Sequence, residues 1–127
     1  MALRHHSLIA WQRADDLFIT LHQVANRRFP PEERYELGSQ LRRAAYSVPA
    51  NIVEGFARRY RRARLHSLNI AEASLAEVTC CLHVAKRLGY ISEATFLTLE
   101  AELKRVTAPL VGLIRSTRRL PALIPDP

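Results

Sequence analysis

The apolar residues of this 127-residue chain recur at intervals of three and four along most of its length. That period places them on one face of a helix, whereas no segment alternates apolar and polar residues with the period of a strand. The sequence therefore predicts four amphipathic helices. Their apolar stripes are Trp11, Ala14, Phe18, Leu21 and Ala25; Leu37, Leu41, Ala44, Ala45, Val48 and Ile52; Leu68, Ala71, Leu75, Val78, Leu82 and Ala85; and Phe96, Leu99, Leu103, Val106, Leu110 and Leu113.

The ends of the predicted helices carry residues that favour starts and stops. The first helix should end near Arg28, because the prolines of Phe29-Pro30-Pro31 disfavour helical backbone at the residues before them. Pro31-Glu32-Glu33 has the proline and acidic residues typical of a helix start, so we predict that the second helix begins there. Three further boundary residues are Ser7 and Ser92 as N-caps of the first and fourth helices, and Gly89 as a left-handed cap of the third.

Four helices joined by loops of about three to six residues predict an all-α fold, an antiparallel up-down-up-down four-helix bundle. We expect residues 1–117 to form this bundle as a single domain. Residues 118–127 contain three prolines after two arginines, and we expect them to be an extended or disordered tail.

Pro49 interrupts the second apolar stripe. Inside a helix it cannot donate a hydrogen bond to the Ala45 carbonyl, and its ring presses on that carbonyl, at a cost of about 3 kcal/mol or a bend. Either the helix kinks here or it breaks and a new helix starts at Pro49. Because Val48 and Ile52 keep the phase of the stripe, we predict a kink. Gly55 should then end the helix as a cap.

Composition excludes several functional classes. No apolar run is long enough to span a membrane, no apolar signal core follows the N-terminus, and we expect a cytoplasmic protein. Cys80 and Cys81 are adjacent on a helix, so their side chains diverge, and we expect two buried thiols without a disulfide. No cofactor motif or metal-ligand spacing occurs. The histidines also lack a catalytic pattern, and we therefore predict no enzyme activity; they are His5, His6, His22, His66 and His83.

Net charge is concentrated in one segment. The chain carries +7, and residues 41–64 hold +6 of it, with seven arginines against the single acid Glu54. Of these arginines, Arg61, Arg62 and Arg64 fall in the first turn of the third helix, where the positive end of the helix dipole disfavours cations. We call residues 58–64 the arginine corner.

Arginines held against a helix dipole, beside a tyrosine able to stack on bases, favour a nucleic-acid or other polyanion site over a merely solvated charged surface. The alternative of a solvated surface stays open at this point. The predicted nucleic-acid-binding residues, for RNA or DNA, are Arg58, Arg59, Arg61, Arg62 and Arg64 with Tyr60, together with Arg42 and Arg43.

The third and fourth helices carry more apolar residues than one core stripe needs. Such second faces are typically buried against another subunit, so we predict a homo-oligomer; a wide core stripe within one chain is the alternative. The residues in question are Ile70, Cys81, Val84 and Leu88 on the third helix, and Leu97, Val111 and Ile114 on the fourth.

Three stretches resemble a known family: LIAWQRADDL, FPPEERYELGSQLRRAAYSVPANIVEGFARR, and LNIAEASLAEV with AKRLGYI. The chain is similar over about residues 8–117 to the four-helix-bundle proteins encoded in intervening sequences of bacterial 23S ribosomal RNA genes. That resemblance implies four antiparallel helices, a ring-like homopentamer and no assigned enzyme activity. The fold is also similar to that of the accessory variability determinant of diversity-generating retroelements, which implies nucleic-acid binding and a protein partner such as a reverse transcriptase.

Most residues that match the family motif look structural: Pro49 as a shared kink, Gly38 as a close helix contact, and Asn51 and Glu54 bonding exposed backbone or a neighbouring arginine. This chain departs from the family at Ala63, Arg64, Ser67 and Ala73, and those changes make the arginine corner more basic. A scaffold that recruits a protein partner, without nucleic-acid binding, is the alternative function. The structural motif residues are Trp11, Gly38, Ser47, Pro49, Asn51, Glu54 and Gly55.

Overall fold

This computed structural model describes residues 8–119 of the chain. They form four α-helices and one short 3-10 helix, joined by short connections. No strand occurs in these residues. Helix α1 packs against α2 and α4, and helix α3 packs against the same two, so that each helix has two neighbours. This is the predicted antiparallel four-helix bundle. Its helices are α1 (Ile9–Arg28), α2 (Leu37–Ala57), α3 (Arg61–Arg87) and α4 (Glu93–Arg119), with the 3-10 helix Pro31–Glu33 between α1 and α2.

One hydrophobic core runs along the bundle axis and receives side chains from all four helices. The predicted stripes face this core, although Trp11, Phe18 and Leu113 are only partly buried. Within residues 8–119, no helix is sufficiently long and apolar to cross a membrane. The largest side chains that the core buries completely are Leu21, Leu41, Ile52, Leu68, Leu82 and Leu110.

The start of α2 differs from the prediction. Pro31–Glu33 forms the separate 3-10 helix, and α2 begins only at Leu37, whose amide donates to the Glu33 carboxylate (N to Oε2 3.1 Å). Gly38 lies directly against this turn, since a Cβ atom there would be 2.8 Å from the Glu33 carbonyl oxygen. The predicted close contact of Gly38 is therefore present, and it is made to the turn that precedes α2.

Pro49 lies within α2, which continues from Leu37 to Ala57 without interruption. The alternative of a break at Pro49 is therefore wrong, whereas the kink stays a prediction. A small polar network lies beside this part of the helix: the Asn51 side-chain amide donates to the Ser47 carbonyl (2.8 Å) and to the Ser47 hydroxyl (3.0 Å), and the Ser74 hydroxyl of α3 donates to the same Ser47 hydroxyl. Helix α4 also contains a proline within its span, Pro109.

Gly55 does not cap α2, so that prediction is wrong. The helix continues two residues further, to Ala57, and the backbone of Gly55 has no positive φ. Instead Gly55 lies where α2 and α3 approach closely, because an added Cβ would lie 3.3 Å from the Arg64 carbonyl oxygen and 3.4 Å from Leu68. The glycine allows the backbones to meet.

The other helix ends agree with the sequence where they can be compared. α1 ends at Arg28, Gly89 follows α3 with φ of 79°, and the Ser92 hydroxyl accepts a hydrogen bond from the Thr95 amide in the first turn of α4 (3.1 Å). α4 extends through Arg119, two residues past the predicted domain boundary. Ser7 and residues 120–127 of the predicted tail lie outside the described residues.

Two predictions about side-chain burial need correction. Cys80 is exposed and only Cys81 is buried, because adjacent residues point about 100° apart on a helix; both thiols are free, as expected. Of the predicted second apolar faces, Cys81 and Ile114 belong to the chain's own core. Ile70, Leu88 and Leu97 remain exposed.

Candidate functional site

The arginine corner is the connection between α2 and α3. Residues 58–60 link Ala57, the last residue of α2, to Arg61, the first residue of α3, and the Arg58 amide donates to the Gly55 carbonyl (3.2 Å). Such a short link is sterically possible because Gly55 lets the two helices converge beside it. The corner is thus a tight turn fixed to the core.

Two of the corner arginines hold the turn in place. Arg58 pairs with Glu54 one turn earlier on α2, as predicted for that carboxylate. The Arg64 Nε donates to the Arg58 carbonyl oxygen (2.8 Å), and its guanidinium lies over the Phe56 ring, 5.5 Å from the centroid. Cation–π contact and the backbone hydrogen bond together restrain Arg64. These two residues therefore shape the corner from within.

The remaining corner residues are open to solvent to different degrees. Arg59 and Arg62 are exposed, and Arg61 and Tyr60 are partly exposed. A shallow depression at the start of α3 is lined by two of these arginines together with residues one and two turns later. Its lining residues are Arg61, Arg62, Leu65, His66 and Asn69. His66 and Asn69 were not among the predicted site residues, although their spacing of four from Arg62 and Leu65 predicts a shared helix face.

The electrostatics of the corner oppose local helix stability. Arg61, Arg62 and Arg64 occupy the first turn of α3, this turn holds no acidic residue, and Tyr60 at the N-cap makes no side-chain capping bond. By contrast, α4 has Glu93 in its first turn and a hydroxyl cap from Ser92. Cations in the first turn of a helix are unfavourable by a few tenths of a kcal/mol each. Selection for stability of α3 alone does not explain this arrangement.

Arg42 and Arg43 lie elsewhere. They are about 24 Å along α2 from Arg58, at 1.5 Å per residue. Arg42 donates to the Arg34 carbonyl (2.6 Å) and to Asn26 (3.4 Å), and thereby ties the start of α2 to the preceding turn and to α1. The fold thus brings the predicted residues between 58 and 64 together and leaves this pair at the other end of the bundle.

Two observations on residues 8–119 concern metal ligands and cysteine chemistry. These residues contain no cluster of three or more side chains of the types that ligate metals. Burial raises the pKa of the Cys81 thiol, and the nearby charges of Cys80 and Glu77 raise that pKa further. A raised pKa keeps the thiol protonated, which is the opposite of what a nucleophilic cysteine requires.

An aromatic groove lies between α1 and α2, on a different face of the molecule. The Phe18 and Tyr46 rings meet edge to face with 5.5 Å between centroids, and Tyr46 and Ile19 are 59% and 49% exposed. Trp11 and Pro49, two of the structural motif residues, line the same groove. Trp11 and Phe18 were predicted to lie in the core stripe, because periodicity does not distinguish a core position from the edge of a groove.

Comparison with known proteins agrees with the architecture. A family profile described as "23S rRNA-intervening sequence protein" matches residues 6–112. Among solved structures, the chain is similar to a protein of unknown function from the S23 ribosomal protein family of Bacteroides thetaiotaomicron VPI-5482, at 18% sequence identity and a TM-score of 0.78. The match covers 84% of this chain and 96% of that one, and at this identity it shows the shared fold. No protein with a curated description matches.

Proposed function

We propose that this chain, which belongs to the 23S rRNA-intervening sequence protein family, is a non-enzymatic cytoplasmic protein that binds nucleic acid through its arginine corner. The observation that carries the proposal is the set of arginines in the first turn of α3, with no acid and no side-chain cap there. The negative charge of a bound phosphate backbone would offset the arginine charges that oppose the helix dipole, and it would itself interact favourably with the positive end of that dipole.

The arginines of the corner fall into two groups with different roles. Arg58 and Arg64 fix the turn through Glu54 and through the backbone, so the cationic surface is held in one shape before a ligand arrives. Arg59, Arg61 and Arg62 supply the charge that meets phosphate. Guanidinium groups suit this role because they donate two parallel hydrogen bonds to phosphate oxygens. Backbone contacts of this kind give affinity without base sequence specificity.

Self-association is the second part of the proposal. Leu88 and Leu97, 56% and 52% exposed, and Ile70, 38% exposed, give α3 and α4 apolar surface that another copy would cover. We propose a homo-oligomer, and the family resemblance implies five copies in a ring. Each copy would present one arginine corner, so that weak single contacts add up along one nucleic-acid strand.

Salt-dependent binding tests the nucleic-acid proposal. Fluorescence anisotropy with labelled single-stranded RNA and with duplex DNA is measured at several salt concentrations for wild type and for the triple variant Arg59→Ala, Arg61→Ala, Arg62→Ala. We expect the variant to bind more weakly and the slope of log K against log salt to become shallower by about 2 to 3, at roughly 0.7 to 0.9 per phosphate contact.

The matched control removes the same charge at the opposite end of the bundle: Arg27→Ala, Arg28→Ala, Arg34→Ala, all three exposed in the wild type. It should bind like wild type. Absence of binding at low salt, or equal slopes for all three proteins, would contradict the proposal. In that case, proteins that remain bound to the tagged chain after nuclease treatment of a lysate would favour the scaffold function instead, including partnership with a reverse transcriptase.

A further inference from the structure

The end of α4 lies beside the arginine corner. α3 and α4 each contain 27 residues and are joined by a turn of five. Because the two helices are antiparallel, the start of α3 and the end of α4 lie at the same level along the bundle axis. Arg118 and Arg119, the last residues of α4, are therefore level with Arg61 and Arg62, the first residues of α3. The four arginines are far apart in sequence, and the hairpin fold brings them to one end of the bundle.

Exposure and charge make this end unusual. Arg115, Arg118 and Arg119 are all exposed. With the five arginines of the corner they make eight, and Glu54 is the only acid in residues 54–66 and 112–119. The opposite end, residues 27–37 and 86–96, has five basic and four acidic residues. Net charge is thus concentrated at one end and nearly balanced at the other.

The two groups of arginines are close enough to act on one ligand. Packed helices have axes about 8 to 10 Å apart, and the Debye length at 0.1 M salt is also about 10 Å. The fields of the two groups therefore overlap under ordinary salt conditions. A phosphate backbone that crosses the start of α3 would continue over the end of α4 and remain within a region of positive electrostatic potential.

We infer that Arg115, Arg118 and Arg119 of α4 form one phosphate-binding surface with Arg59, Arg61 and Arg62, and that its ligand is a nucleic-acid backbone long enough to span both helix ends. The inference rests on the proposed function and adds a second helix to the site. A purely local role of Arg118 and Arg119, as cations favoured at the C-terminal end of a helix, is the competing explanation.

The double variant Arg118→Ala, Arg119→Ala tests the inference, with Arg27→Ala, Arg28→Ala as its matched control. Both pairs are exposed, both lie in the last turn of a helix, and both changes remove two charges, but the pairs lie at opposite ends of the bundle. Thermal unfolding should respond equally to the two variants, because each loses the same interaction with a helix dipole. Fluorescence anisotropy with labelled single-stranded RNA and with duplex DNA then compares the binding affinities of the two variants.

We expect the Arg118 and Arg119 variant to bind both probes more weakly, with a salt slope shallower by about 1.5, and the Arg27 and Arg28 variant to keep the wild-type slope. Equal weakening by both variants would overturn the inference, since net charge alone would explain it. A wild-type slope in the Arg118 and Arg119 variant, while the corner triple variant loses affinity, would overturn the inference and leave the proposed function standing. No binding by wild type would overturn both.

Discussion

The Ser74 hydroxyl of α3 donates a hydrogen bond to the Ser47 hydroxyl of α2, with 2.8 Å between the two oxygens. The same Ser47 oxygen accepts from the Asn51 amide at 3.0 Å, two residues beyond Pro49. One hydroxyl therefore joins a contact between helices to a contact within α2, at the point where the proline removes a backbone donor. This small polar network connects two residues of the family motif, Ser47 and Asn51, to Ser74 across the interface of α2 and α3.

Replacing the two serines should have unequal effects. Ser74→Ala removes one donor and leaves Ser47 bonded to Asn51, so we expect a loss of about 1 kcal/mol in the free energy of unfolding. Ser47→Ala should lose more, because it leaves both the Ser74 hydroxyl and one Asn51 contact without an acceptor. Urea denaturation of the two variants measures the difference. Equal losses would contradict the shared role of Ser47.

Two glycines should respond to alanine in opposite directions. At Gly38 the new methyl group would lie 2.8 Å from the Glu33 carbonyl oxygen, a backbone atom that cannot move freely, so we expect a loss of about 1 to 3 kcal/mol. At Gly112, in the interior of α4, the new methyl group would meet no described atom within 4 Å outside the neighbouring backbone of its own helix. Gly112→Ala should therefore stabilise the protein by about 0.5 to 1 kcal/mol through the better helix propensity of alanine.

Denaturation midpoints of the two glycine variants, measured side by side, test this contrast. A stabilised Gly38→Ala protein would show that the turn at Glu33 relaxes. A destabilised Gly112→Ala protein would show that α4 is packed against something at this position.

Alkaline pH should weaken the link between the turn before α2 and the turn before α4. The Tyr90 hydroxyl donates to Glu33 Oε1 (2.9 Å), and this hydrogen bond, with burial and the charges of Glu33 and Glu32, raises the pKa of Tyr90 above its ordinary value of 10.0. A raised pKa favours the protonated phenol in the folded state. The stabilisation is therefore fully present below pH 10 and is lost as pH rises through the folded-state pKa.

Tyr90→Phe removes both the hydrogen bond and the titration. We expect the wild type to be more stable than this variant at neutral pH and the difference to shrink at strongly alkaline pH. Chemical denaturation at matched pH values follows the difference. A gap that widens above pH 10 would contradict the assigned cause of the raised pKa.

The exposed leucines at the α3–α4 turn should control self-association. In the double variant Leu88→Ser, Leu97→Ser, two large exposed apolar side chains become polar, so the mass of the native complex should fall toward that of one chain. Native mass spectrometry measures it, and Ile19→Ser, on the α1–α2 groove, is the control that should leave the mass unchanged. If the mass instead fell for Ile19→Ser and stayed unchanged for the double leucine variant, the subunit interface would lie at that groove.

The sequence predicted features that local chemistry determines. The prolines after Arg28 end α1, Gly89 takes the left-handed conformation that its position after Lys86-Arg87 predicts, and Ser92 caps α4. Each of these depends on a few neighbouring residues and on the helix period. Such signals do not require knowledge of what packs against the helix.

Features that depend on distant residues were missed or assigned wrongly. Gly55 has the sequence context of a helix cap, and only the approach of Arg64 and Leu68 shows that it permits close packing. Pro31-Glu32-Glu33 has the composition of an α-helix start, but these residues form a separate 3-10 helix. The close contact of Gly38 with Glu33 is made to that 3-10 helix. The placement of Arg118 and Arg119 beside the arginine corner follows from the antiparallel pairing of α3 and α4.

The unequal charge of the two bundle ends gives the molecule a permanent electric dipole along its long axis. In the field of a polyanion such a molecule rotates before it touches, so productive encounters would begin with the arginine end in front. Copies packed side by side in the same direction would repel each other at that end, and added salt would screen the repulsion. Salt should therefore strengthen the proposed assembly while it weakens the proposed binding, so the two properties would be separable by ionic strength alone.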